Sequence, residues 1–130
     1  MTGGTLIRVL GAARIAVGGL WLAGLATGRG AAGATLPPAG RWAAIALAGR
    51  DVAQGALLVS DPRQRSAQAG AVIDGLHAAS MLPVIALVPR YRKPAALSAA
   101  VAVSWLAAAA WAVRRPWIQA SDHGYAIWQK

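Results

Sequence analysis

Across 130 residues the chain is 57% hydrophobic and 13% charged, with a mean hydropathy of +0.48. Four Asp, no Glu and two Lys are too few to give a domain of this length a water-facing exterior, which disfavours a soluble fold and favours a polytopic membrane protein. The net charge of +9 reads as Arg and Lys at helix ends meeting anionic headgroups rather than as a nucleic-acid footprint, and zero Cys removes disulfides, thiolate metal sites and cysteine nucleophiles.

The first apolar run covers residues 5–27 and ends in Gly28-Arg29-Gly30. Arg8 stands near its start, ahead of a long apolar stretch, as in a signal peptide. The run is nevertheless long, contains Arg14 and is followed by similar segments, so an uncleaved first span is expected. A Gly/Ala/Pro-rich link follows, in which Pro37-Pro38 is expected to interrupt the helix. The second span is read at about 41–60. Asp61-Pro62 then forms a polar turn able to cap and start the next helix. The third span, about 66–88, contains Pro83, which is expected to kink it. After a basic turn at 89–94, the fourth span runs from about 95 to 113. Each run of roughly 20 residues suffices to cross ~30 Å of hydrocarbon.

Residues 114–130 differ in kind. Trp117, Tyr125 and Trp128 alternate with polar residues over too short a length to span, so an interfacial tail is expected beside the four-span domain of residues 1–113. Trp42 and Trp111 fit the same headgroup belt, whereas Trp21 and Trp105 lie deeper and are read as packing residues. Gly24 and Gly28 have the spacing of a close-packing pair. The loop charges tie between the two sides, and Arg8 tips the expectation toward cytoplasmic termini.

Five ionisable side chains fall well within these spans, away from their ends: Arg14, Arg50, Asp51, Asp74 and His77. A charge at the bilayer centre costs about 2.5–3.5 kcal/mol or more, so each must face the protein interior or water. The two arginines and two aspartates sum to zero, which favours neutral pairing, with Arg14–Asp74 and Arg50–Asp as the expected partners. Neighbours on a helix point ~100° apart, so Arg50 and Asp51 must look toward different helices. Gln54, one turn beyond Arg50, extends the polar face. On the third span Asp74 and His77 lie one turn apart, a spacing that suits a carboxylate orienting an imidazole, with Ser80 close by. Gly49, Gly55 and Gly75 would allow close backbone approach beside these groups. One internal His without Glu or Cys is a thin donor set, so neither a metal nor a cofactor is expected, and His123 lies in the tail.

Three motifs, Gly11-Ala12-Ala13-Arg14, Gly49-Arg50-Asp51-Val52-Ala53-Gln54-Gly55 and Asp74-Gly75-Leu76-His77, resemble those of small four-span membrane proteins of high-GC actinobacterial genomes. The resemblance spans residues 8–80, excludes the tail and implies a four-helix bundle in a bacterial plasma membrane. It supplies no activity.

The fold class expected is therefore an all-α integral membrane four-helix bundle with an interfacial C-terminal segment. Two functions follow from the polar cluster. In the first, a binding or accessory protein, the cluster holds the bundle together or serves a lipid, a small amphiphile or a membrane-protein partner, including a second copy of the chain; no nucleic acid is expected. In the second, a small enzyme or proton-coupled transporter, Asp74 and His77 exchange protons while Arg50 holds an anionic group, and Arg14, Asp51, Gln54 and Ser80 line the pocket.

Overall fold

The computed structural model describes residues 2–28 and 37–115. Within them the chain is all-helical: α1 (Gly3–Thr27), α2 (Pro38–Ser60), α3 (Gln64–Leu87) and α4 (Arg92–Val113), with a short 3-10 turn at Pro89–Tyr91. All four helices are long and apolar enough to cross a membrane. The tail residues Trp117, Tyr125 and Trp128, together with Arg29, His123 and Lys130, lie outside the described residues.

The helix ends differ from the expected spans for local reasons. Pro38 begins α2, three residues ahead of the expected span, at a position where the missing N–H would have no helical acceptor. Gly28 does not pack: it ends α1 in the left-handed conformation at φ 64°, with open space where a Cβ would stand. Asp61 makes no cap on α3, whose N-terminal flank is Arg63; instead its carboxylate receives the Ser66 hydroxyl and Arg63 Nε. Two basic residues take up orphaned carbonyls at helix C-termini. Arg41 Nη2 donates to the Leu25 carbonyl at 3.0 Å, and Arg92 Nε donates to that of Ile85 at 3.0 Å. The α3 helix continues through Pro83 to Leu87, although Pro83 has no N–H for the Ala79 carbonyl.

The helices assemble as two antiparallel hairpins, α1–α2 and α3–α4, and contacts between the hairpins are far sparser than those within them. The first hairpin has a consistent register in which small residues seven positions apart face each other. A Cβ placed on Gly55 would stand 2.5 Å from the Gly11 carbonyl oxygen, and one on Gly18 would stand 2.7 Å from that of Ala48. These missing side chains let two backbones touch, which maximises dispersion contact between the two helices. Gly49, in contrast, faces open space, and Gly75 meets only Leu106 at 3.3 Å.

At one end of the bundle, Ile7 and Leu10 of α1 pack with Leu58 of α2, Ala67 of α3 and Ala109 and Ala112 of α4. This apolar cluster and the polar cluster described next are what join the hairpins. The outer surface is rich in large apolar side chains, with Leu20 74% and Leu76 67% exposed, and Trp42 and Trp111 also outside. Trp21, read as a packing residue, is exposed as well. The polarity of a water-soluble protein is thus inverted: among the largest fully buried side chains are Arg14 and Asp74.

Candidate functional site

Arg14 stands at the centre of the cluster. It lies in the middle of α1 on the face that carries Gly11 and Gly18, so close approach of α2 seals it from outside. Arg14 is 1% exposed and Asp74, reaching in from α3, is 0% exposed. Arg14 Nη2 donates to Asp74 Oδ2 and Nη1 lies 3.5 Å from Oδ1, a two-pronged contact that suits a guanidinium and a carboxylate. Arg14 Nη1 also donates to Gln54 Oε1 at 2.6 Å and lies 3.6 Å from Asp51 Oδ1.

Arg50 approaches the same carboxylate from α2, donating from Nη2 to Asp74 Oδ1 at 2.9 Å and lying 3.4 Å from Asp51 Oδ1. Arg50 and Asp51 do look toward different helices: Arg50 reaches α3, while Asp51 turns toward Arg14 of α1. The result is a closed network of two cations and two anions on three helices. Summed by hairpin, Arg14, Arg50 and Asp51 leave one positive charge on the first, and Asp74 supplies one negative charge on the second.

The fourth helix contributes a residue that sequence reasoning assigned only to packing. The Trp105 ring lies under the Arg14 guanidinium, 4.8 Å from ring centroid to Cζ, placing the cation on an aromatic face. A depth argument could have found it, since α4 runs antiparallel to α3 and brings Trp105 near the level of Asp74.

His77 and Ser80 stand apart. His77 is half-buried and shares a hydrogen bond of 2.9 Å between Nε2 and Ser98 Oγ of α4. No hydrogen bond joins it to Asp74, because the arginines occupy both oxygens of that carboxylate. The expected orientation of the imidazole by Asp74 is therefore replaced by orientation from Ser98. Ser80 is exposed and its hydroxyl returns to the His77 carbonyl at 2.7 Å, outside the cluster. Replacing His77 with Ala should cost only about 0.5–1.5 kcal/mol of stability, the worth of one partly buried hydrogen bond, as measured by unfolding in detergent.

Among the described residues no three His, Cys, Asp or Glu side chains converge as metal ligands do. An open depression lined by Pro38, Arg41, Trp42 and Ile45 lies at the start of α2, and none of the ion-cluster residues lines it. Comparison with protein families, with curated proteins and with solved structures finds no match to the chain.

Proposed function

We propose that this chain is a multi-pass protein of a bacterial plasma membrane, of binding or accessory type, whose ion cluster clasps two helical hairpins and serves a lipid, a small amphiphile or a membrane partner. The observation that carries the reading is the inverted polarity: apolar side chains cover the outside while Arg14 and Asp74 are wholly buried. Such a surface has its natural solvent in hydrocarbon, and charges at that depth must be paired within the protein. Headgroup contacts of Arg63, Arg65, Arg90 and Lys93 at the helix ends fit the same placement. The interfacial tail, with cytoplasmic termini, belongs to this proposal.

Within that reading, binding is favoured over proton exchange because the Asp74/His77 pair is not assembled. The second reading, an enzyme or transporter, draws on one observation: the Arg50 side chain keeps 24% exposure at the edge of the cluster.

Membranes containing the chain should retain it after alkaline carbonate washing. Intact-mass measurement from mild detergent should then find lipid, amphiphile or protein adducts. A carbonate-soluble chain would overturn the membrane placement, and a chain that is always bare would overturn the binding role.

A further inference from the structure

The ion cluster is balanced in charge but not in hydrogen bonding. Four of its buried nitrogen atoms have no acceptor: Arg14 Nε, Arg50 Nε, Gln54 Nε2 and Trp105 Nε1. All four belong to N–H donors, and no buried side-chain oxygen among the described residues lacks a partner. The imbalance therefore has one direction. The side-chain oxygens of Asp51, Asp74 and Gln54 are turned toward the inner guanidinium edges. Arg14 Nε and Arg50 Nε are left without a partner. A buried donor without an acceptor is costly, and one on a guanidinium that is 1% exposed is costlier still.

What completes such a site must accept hydrogen bonds and donate none in return. Charge narrows it further. Both arginines are already neutralised by Asp51 and Asp74, so a bound anion would leave a net negative charge in an apolar interior. That weighs against an Arg50 anion holder. A neutral oxygen acceptor meets both conditions, and the apolar flanks of α1 and α4 suit a carrier that is itself apolar.

We propose that the Arg14–Gln54–Trp105 side of the cluster binds the carbonyl oxygen of a neutral, lipid-soluble compound, with Trp105 Nε1 and Arg14 Nε as donors. This rests on the membrane-binding reading above and names its ligand chemistry. A carbonyl oxygen carries two lone pairs and no proton, so it can serve two of these donors at once. The Trp105 ring then has two roles, its face under the Arg14 cation and its edge N–H on the ligand. The carbonyl could come from an ester lipid of the bilayer or from a free lipophile such as a quinone, and the two sources are separable.

The test is solid-state NMR of the full chain, ¹⁵N-labelled at tryptophan, in bilayers of phosphatidylcholine ¹³C-labelled at its ester carbonyls. A parallel sample uses unlabelled lipid with added carbonyl-¹³C benzoquinone bearing an alkyl tail. The Trp105 indole signal is assigned in the wild-type chain by sequential correlation. Dephasing of that signal by the ester label supports the lipid source; dephasing by the quinone label supports the free lipophile. A signal that correlates with water protons and with neither carbonyl overturns the proposal, because water then satisfies the donors. Trp105→Phe keeps an aromatic face under Arg14 and removes only the donor. It should weaken retention of the dephasing compound about fivefold, the equivalent of one hydrogen bond, while retention equal to wild type would count against Trp105 Nε1 as a donor. If adducts are found by intact mass but Trp105 contacts only water, this inference fails and the binding role stands. If the chain is washed from membranes, both fail.

Discussion

Asp74→Ala should be the most damaging single substitution in the chain, lowering stability by about 3–5 kcal/mol. Asp74 is completely buried and receives both Arg14 and Arg50. Removing it leaves two guanidinium groups sharing Asp51 alone, with one uncompensated positive charge in an apolar interior. It also removes the single anion by which α3 engages the first hairpin, so the loss should appear as separation of the hairpins as well as a lower midpoint. Equilibrium unfolding in detergent measures the first effect, and distance measurement between spin labels on α1 and α3 measures the second. Asp74→Asn, which keeps an acceptor oxygen and the side-chain shape, should fall between Ala and wild type.

Gly55→Ala should be the second most damaging, and by a different mechanism. The added methyl carbon would stand 2.5 Å from the Gly11 carbonyl oxygen and 2.9 Å from the Ile15 nitrogen. Both are backbone atoms of α1, so no side chain can rotate away and the helices must move apart. Overpacking of this kind costs about 1–3 kcal/mol, only partly offset by the better helix propensity of Ala. Gly49→Ala is the matched control on the same helix. It meets nothing within 4 Å, so it should be neutral or stabilising by up to about 1 kcal/mol. Equal stabilisation of the two variants would mean that helix propensity, not close packing, governs α2.

These two predictions mark where the sequence is informative and where it is not. The four helices are legible because apolar runs of spanning length are set off by Pro38, Pro62 and the basic turn around Arg90, each of which acts locally. The partnership of Arg14 with Asp74 is legible because buried charge must balance, a constraint that holds whatever the packing. The packing glycines are legible only in part: Gly55 is expected to allow close approach and does, whereas Gly49 faces open space. Gly28 belongs to the conventional spacing yet faces open space, while Gly11 and Gly18 meet α2, because contact depends on the register of α2 against α1. One turn of separation allows Asp74 to meet His77, but two arginines on other helices outcompete the imidazole for the carboxylate. Trp105 sits in an Ala-rich run beside Ser104, whose hydroxyl returns to the Ala100 carbonyl, so only its depth opposite Asp74 hints at the role that the folding of α4 beside α3 gives its ring under Arg14. Local chemistry is carried by the sequence; the choice among partners of equal chemistry is made by the register between helices.

The clasp itself is tested most directly by a double-substitution cycle on Arg14 and Asp74, using Arg14→Met, Asp74→Leu and the pair, with unfolding in detergent as the readout. Each single change strands a buried charge. The double change leaves Arg50 with Asp51, a neutral pair, and fills the space with apolar side chains. The double variant should therefore be more stable than either single variant, with a coupling of at least ~2 kcal/mol. Losses that simply add would contradict an ion cluster that holds the two hairpins together.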